Sequence, residues 1–104
     1  MPLDLNDLRV RFANKNYLLT AHASNRAAER RIVSMEIEAA ILNGEIIEDY
    51  PNDKYGPSCL IMGESASGRI LHVQVSYQPA AKVITVYEPS PDEWELDLKT
   101  RRTG

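Results

Sequence analysis

The residues best suited to chemistry are one histidine and two arginines that follow each other at intervals of four. His22, Arg26 and Arg30 lie in the stretch from Thr20 to Gly44, whose pattern predicts two short helices joined by a tight bend. At 3.6 residues per turn, side chains spaced by four form one slowly drifting row on a single helix face. An imidazole and two guanidinium groups on one face can bind a phosphate group, or cleave a bond to one. The spacing therefore indicates a candidate phosphate site.

Each of the three residues has a role in that chemistry. His22 falls in the first turn of its predicted helix, where the positive end of the dipole favours a neutral imidazole that can act as a general base. Arg26 and Arg30 could hold a phosphate and stabilise charge that develops in a transition state. The alternative is that His22 is an ordinary surface residue and that the arginines form ion pairs with nearby acidic side chains. The candidates for such pairs are Glu29, Glu36 and Glu38.

Two residues further along the chain are weaker candidates. His72 is expected on the polar face of a strand, where a solvated histidine is common, but two imidazoles brought together could act as base and acid in phosphodiester cleavage. Tyr87 closes the last predicted strand, where it could assist catalysis or stack on an RNA base. The sequence has no zinc-ligand spacing and no glycine-rich phosphate loop. We therefore expect no metal and no cofactor.

The helix that carries His22 is expected to end near residues 32–33. Two β-branched residues there precede Ser34, which the pattern predicts as the cap of a second helix. That second helix should end at Asn43-Gly44, because Asn and Gly are strong C-terminal stop signals.

From residue 45 onward the pattern alternates with period two, which is typical of strands. The polar side of the stretch 69–77 carries His72, Gln74 and Ser76, and we expect this face of the sheet to be open to solvent or ligand. The class is α+β, with helices packed on one face of an antiparallel sheet of about four strands. The remaining predicted elements are a helix over 3–12, a brief strand at 17–19, and strands over 45–50, 58–63, 69–77 and 83–87.

Composition and charge narrow the class of protein. The 104 residues fit a single domain over 1–104, with a core from about 17 to 94, Trp94 as the anchor of the tail, and a frayed segment over 95–104. A net charge of −3 offers no basic footprint for nucleic acid over the whole chain, although the site arginines could form a local patch. Cys59, the only cysteine, lies in an apolar run and is expected to be a buried thiol in a reducing compartment. With no signal-peptide pattern and no spanning apolar segment, we expect a cytoplasmic protein with no membrane partner.

Several segments resemble the domain-of-unknown-function family 4258. The resemblance runs from about Tyr17 to Arg102, and the arrangement of His22, Arg26 and Arg30 is its most specific part. The segments that carry it are Thr20-x-His22-Ala23 with Arg26, Arg30 and Ile32, Ser34-Met35-Glu36-Ile37-Glu38, Asn43-Gly44-Glu45-Ile46-Ile47-Glu48, Tyr50-Pro51, Pro57-Ser58-Cys59-Leu60, Leu71-His72-Val73, Val83-Ile84-Thr85-Val86-Tyr87 and Pro91-Asp92-Glu93-Trp94.

That family is thought to be related to the RelE/ParE-like toxins of bacterial toxin–antitoxin modules. The resemblance implies two helices on a curved antiparallel sheet, and a metal-independent ribonuclease or translation inhibitor that an antitoxin protein neutralises. In this hypothesis His22 is the general base or acid, the arginines bind phosphate, and His72 or Tyr87 assists. RNA would be cleaved with its ribose 2′-OH as the nucleophile. The competing hypothesis is a non-catalytic interaction domain whose arginines bind an acidic partner, and a homodimer formed through a free sheet edge is a further expectation.

Overall fold

Three helices pack against a mixed five-stranded sheet in the computed structural model, which describes residues 4–54 and 56–103. The predictions that concern residues 1–3, 55 and 104 lie outside the described residues. The helices are α1 (Leu5–Ala13), α2 (Ala21–Arg30) and α3 (Ser34–Asn43). The strands are β1 (Leu18–Leu19), β2 (Glu45–Tyr50), β3 (Ser58–Glu64), β4 (Ile70–Ser76) and β5 (Lys82–Tyr87).

Helix α2 begins at the predicted cap but ends earlier than predicted. The hydroxyl oxygen of Thr20 accepts a hydrogen bond from the N–H of Ala23 at 3.0 Å, and the same hydroxyl donates to the carbonyl of Ile84 at 3.0 Å. Arg31 follows the helix with φ of 55°, in the left-handed region, so α2 ends at Arg30 and not near residues 32–33. Through these two hydrogen bonds, the Thr20 hydroxyl joins the start of α2 to β5.

Helix α3 is capped differently from the sequence prediction. Ser34 is the first helical residue, and the cap position belongs to Val33. The N–H of Val33 donates to Oε1 of Glu36 at 3.1 Å. The prediction that Ser34 caps the helix is therefore wrong, because Glu36 reaches back and satisfies the free N–H instead.

The sheet has the strand order β1-β5-β4-β3-β2, and every neighbouring pair is antiparallel except β1 with β5. The α+β class is confirmed, and β2 to β5 lie within a residue of their predicted bounds. The sheet is five-stranded and mixed, however, and not an antiparallel sheet of about four strands. The difference arises because Leu18 and Leu19 add to the edge beside β5, where the N–H of Leu18 donates to the carbonyl of Ala81 at 3.1 Å.

All three helices contribute to one core on the same face of the sheet. Helix α2 packs on β5, α3 packs on β3 and β4, and α1 packs on α3. The close approach of α3 depends on Gly63, since a Cβ at this position would lie 1.9 Å from the carbonyl oxygen of Ala40. The helices therefore cover the apolar face, as the alternating pattern indicated.

The opposite face of the sheet is covered in part by the C-terminal segment, which we define as residues 94–103. Trp94 is 1 % exposed, and a turn held by the N–H of Glu95 on the carbonyl of Thr100, at 2.8 Å, returns the chain toward it. Lys99 and Arg101 form ion pairs with side chains of β2. Fraying of residues 95–104 in solution stays a prediction.

The polar face predicted to be open is largely closed. His72 is fully buried beneath the C-terminal segment. Ser76 is also buried, with its hydroxyl donating to the carbonyl of Ala80, and Gln74 is half-buried. The expectation of an open face was wrong because the alternating pattern of one strand carries no information on the C-terminal segment that packs against it.

Candidate functional site

The three residues that the spacing put on one helix face line a single cleft of about 440 Å³. His22, Arg26 and Arg30 form its α2 wall, and Tyr87 of β5 also lines it. The remaining wall comes from the chain after β5 and from the C-terminal segment. Four of the five predicted site residues are thus brought together, and His72 is not among the residues that line the cleft.

The sequence of α2 explains why this row faces outward. Ala23 and Ala27 are buried on the side that packs against β5, and their small side chains allow the two backbones to approach closely. His22 and Arg30 are exposed on the other side of the helix, and Arg26 is half-buried. Because the cap at Thr20 is bonded to β5, the row is held at a fixed position beside that strand.

The arginines differ in how they are engaged. Arg26 forms an ion pair with Glu29, with 3.5 Å between Nη1 and Oε2, so the pairing considered for that residue is present. In residues 4–54 and 56–103, the side chains of Arg30 and His22 have no hydrogen bond or ion pair. These two side chains are therefore available to a ligand.

The other two acidic candidates are engaged elsewhere. Glu36 binds Arg69, with 2.8 Å between Oε1 and Nη2, and Glu38 binds Lys15 and Tyr17. Pairing of the site arginines with Glu36 or Glu38 does not occur in the described structure.

Tyr87 contributes a protonated phenol to the cleft. Burial raises the pKa of Tyr87 to about 12, and this outweighs the nearby positive charge of Arg101, which acts in the opposite direction. At neutral pH the hydroxyl group therefore keeps its proton and is able to donate it.

His72 lies directly behind Tyr87. Its Nε2 is 2.6 Å from the carbonyl oxygen of Leu98, and its Nδ1 is 3.3 Å from the hydroxyl oxygen of Tyr87. A carbonyl can only accept, so the proton of the ring is on Nε2. Burial lowers the pKa of His72, which keeps the ring neutral and leaves Nδ1 to accept from Tyr87. His72 can therefore act on the cleft only through Tyr87.

Sequence reasoning missed Arg101, which lines the cleft from the C-terminal segment. Its Nε is 3.0 Å from Oε2 of Glu48, and its Cζ lies 4.6 Å from the centre of the Trp94 ring. Burial alone would raise the pKa of Glu48, but hydrogen bonds from Arg101 and Tyr50 outweigh it and lower that pKa. The sequence did contain a signal for this segment, since the only tryptophan of the chain lies among charged residues of both signs at residues 93–102.

The cleft carries a local positive charge on a chain that is acidic overall. Three arginines and two glutamates, Glu88 and Glu93, line it, which gives a formal charge of +1 with His22 neutral. Three of these charges are partly neutralised from outside the cleft: Glu88 by Arg69, with 2.9 Å between Oε1 and Nη1, Arg26 by Glu29, and Arg101 by Glu48. The arrangement favours an anion, and a phosphate group in particular, because guanidinium groups bind its oxygens with paired hydrogen bonds.

Other kinds of site are not found in the part of the chain that the structure describes. There, no group of three or more His, Cys, Asp or Glu residues could hold a metal ion. Among the same residues, no helix has the length and apolar character needed to cross a membrane. Cys59 is buried away from the cleft, and burial, with the nearby charge of Asp49, raises the pKa of its thiol to about 12.

The comparison with protein families gives a match over most of the chain. A family model described as a domain of unknown function, DUF4258, matches residues 19–88. The chain belongs to the DUF4258 family. The DUF4258 match runs from the end of β1 to just beyond β5, and so contains all five predicted site residues, whereas Trp94 and Arg101 lie after it. No curated protein and no solved structure matches the chain.

Proposed function

We propose that this chain is a toxin-like ribonuclease that cleaves single-stranded RNA in the α2 cleft without a metal ion. The observation that carries the proposal is the meeting of His22, Arg26 and Arg30 with Tyr87 in one positively charged cleft. The proposal includes the relationship to RelE/ParE-like toxins, and an antitoxin protein as the natural inhibitor.

Binding of the scissile phosphate falls to the arginines of α2. Arg30 has no partner among the described side chains, so it can bind an oxygen without first breaking an ion pair. Arg26 shares an exposed ion pair with Glu29, and such pairs contribute only about 0.2–1 kcal/mol. Exchange of that carboxylate for a phosphate oxygen therefore costs little free energy.

The bond-breaking step uses His22 as the base and Tyr87 as the acid. The imidazole of His22 takes the proton of the ribose 2′-OH, and the 2′-oxygen attacks phosphorus. The bond from phosphorus to the 5′-oxygen breaks, and that oxygen receives the phenolic proton of Tyr87 after the hydroxyl group has turned from Nδ1 of His72 toward the cleft. A ribose alkoxide is a stronger base than a phenolate, so this transfer runs downhill even from a phenol with a raised pKa. The products are a 2′,3′-cyclic phosphate and a 5′-hydroxyl, and exchange with water returns both side chains to their starting forms.

The second candidate function is a non-catalytic domain that binds an acidic segment of a partner protein. The free Arg30 supports this reading too, because a guanidinium group binds a carboxylate as well as a phosphate. This function does not require His22 or Tyr87, and it is therefore separable from cleavage by experiment.

Replacement of His22 by Ala tests the ribonuclease directly. Loss of the general base is expected to lower the rate of cleavage of a labelled single-stranded RNA by about 10²–10⁴-fold. The reaction is followed by gel electrophoresis in the presence of EDTA, and the ends of the products are checked for 2′,3′-cyclic phosphate. Because His22 is exposed, the thermal midpoint of unfolding should stay close to that of the unmodified protein.

Matched variants make the result specific. Asn25→Ala changes an exposed residue of α2 that does not line the cleft, and it should cleave normally. Arg30→Ala should weaken RNA binding, while Arg31→Ala removes the same charge one residue outside the cleft and should not. Cleavage that survives His22→Ala overturns the proposal. A chain that binds acidic peptides tightly but leaves RNA intact belongs to the second candidate function.

A further inference from the structure

We infer that Arg101 is a third phosphate-binding cation of the cleft, which makes the C-terminal segment a working part of the site. The inference takes its ligand, the backbone of single-stranded RNA, from the proposed function. Arg101 is supplied from residues that lie beyond the family match and that the sequence pattern assigned to a frayed tail.

Glu48 holds Arg101 by one side of the guanidinium group only. Nε of Arg101 is 3.0 Å from Oε2 of Glu48, and Nη2 is 3.1 Å from Oε1. In the described part of the chain, no hydrogen bond reaches Nη1. The carboxylate thus fixes the group in place and leaves a free N–H donor, which the cleft can offer to an anion.

Trp94 also holds the guanidinium group of Arg101, which lies over the flat face of the indole ring. Cζ of Arg101 lies 4.6 Å from the centre of the indole ring, within the range of a cation–π contact. The ring itself is fully packed and makes a T-shaped contact with His72, with 4.4 Å between the ring centroids. Since the guanidinium group is held at its edge and its face before any ligand arrives, it loses little conformational freedom on binding.

Arg101 also remains accessible to a ligand. Its side chain is 56 % exposed, whereas the side chain of Glu48 beneath it is 23 % exposed. The anchoring groups therefore lie on the protein side of the arginine, and the free edge faces outward. A structural ion pair sealed from solvent would have both side chains buried.

The charge of the cleft depends on this residue. Arg26 and Arg30 are balanced by Glu88 and Glu93, so without Arg101 the formal charge of the lining is zero. With Arg101 it is +1, and the third cation comes from the wall formed by the C-terminal segment. A phosphate between the walls can accept from both, which a site built from α2 alone does not allow.

The test compares Arg101→Ala with Arg102→Ala. Both variants remove one positive charge from neighbouring positions, but Arg102 binds Glu95 and does not line the cleft. The probe is a short single-stranded RNA with 2′-O-methyl groups, which lacks the nucleophile and cannot be cleaved. Fluorescence anisotropy at several salt concentrations should show Arg101→Ala binding at least about 10-fold more weakly, with the salt slope lower by about 0.7. Arg102→Ala should bind like the unmodified protein.

Arg101→Lys separates a ligand contact from a structural role. Lysine retains the charge but not the forked geometry, so the salt slope should be preserved while the pairing with Glu48 is weakened. Circular dichroism and thermal unfolding establish that each variant is folded. If Arg101→Ala does not fold, the comparison of Arg101→Lys with Arg102→Lys decides the question, with weaker binding expected for the first alone.

The outcomes distinguish this inference from the proposed function. Equal effects at Arg101 and Arg102, or no effect at either, overturn the inference, as does failure of the unmodified protein to bind the probe. If binding depends on Arg101 but the protein does not cleave unmodified RNA, the inference about Arg101 is supported and the ribonuclease proposal is overturned. If cleavage depends on His22 but not on Arg101, the ribonuclease proposal is supported and the inference about Arg101 is overturned.

Discussion

Tyr87 and His72 form one hydrogen-bonded unit whose proton positions follow from its surroundings. Leu98 presents only a carbonyl to the histidine, so the ring must donate from Nε2 and accept at Nδ1. The phenol keeps its proton because burial raises its pKa to about 12. The unit is neutral at rest, and the histidine orients the hydroxyl group that faces the cleft.

Replacement of Tyr87 by Phe should remove the proposed general acid while leaving the cations in place. We expect the cleavage rate to fall by about 10²-fold, with little change in binding of the 2′-O-methyl RNA. Tyr17→Phe is the matched control, because its hydroxyl also has a pKa raised to about 12 but bonds to Glu38, outside the cleft. Full activity in Tyr87→Phe would assign the leaving-group proton to water or to another residue.

The candidate residues differ in how far the sequence could reveal them. The row of His22, Arg26 and Arg30 depends only on helix periodicity, which is local. Contact between His72 and Tyr87 depends on strand register, since these two residues are direct partners between β4 and β5. Arg101 meets Glu48 across 53 positions of the chain, and no local pattern predicts such a contact.

The helices and strands are set largely by local signals, with two exceptions that arise from longer contacts. Thr20 caps α2 as its residue type predicts. The cap of α3 was misassigned because Glu36 supplies it from three residues away, and β1 was not recognised as part of the sheet because two residues have no periodicity. Its membership depends on hydrogen bonds to residues near β5.

The contact between α3 and β3 gives a test at this scale. Gly63→Ala places a methyl group 1.9 Å from the carbonyl oxygen of Ala40, so helix and strand must separate. We expect the free energy of unfolding to fall by roughly 3 kcal/mol, measured by urea denaturation. Gly68→Ala is the control, since no atom lies within 4 Å and only its φ of +88° opposes the change, at a cost of about 1–2 kcal/mol. A larger loss at Gly68 than at Gly63 would contradict the close packing of α3 on β3.

For the molecule as a whole, two buried groups set the response to acid. Hydrogen bonds from Arg69, and then from Ser67, lower the pKa of Glu36 from 4.5 to about 2. Burial lowers the pKa of His72 below its ordinary value of 6.5. In both cases the unfolded chain binds protons more readily than the folded protein, so acid favours unfolding.

The expected pH profile has two stages. The free energy of unfolding should begin to fall below about pH 6.5, as His72 becomes protonated in the unfolded chain. A steeper fall should follow between pH 4.5 and about pH 2, where Glu36 loses its stabilising charge. Glu36→Gln should reduce the second slope, and Glu29→Gln, at an exposed carboxylate of α2, should not. Urea denaturation across this pH range measures the free energy of unfolding in both stages. Equal slopes below pH 4.5 in the unmodified protein and the two variants would show that Glu36 does not cause the second fall.

The edges of the sheet bear on self-association. One edge is the two-residue strand β1, and the other is β2, whose register shifts between Ile46 and Glu48. Short and irregular edges are poor templates for pairing with another strand. The homodimer expected from a free edge stays a prediction, and sedimentation of the purified protein would test it.

The order in which a ribosome makes this chain gives the C-terminal segment a further consequence. Arg101 is synthesised after every other residue that lines the cleft. Because a domain generally folds as a unit, the cleft is complete only once the C-terminal segment has joined it. Under the proposed function, a chain truncated before Arg101 would have a cleft lining with a formal charge of zero and would bind RNA weakly.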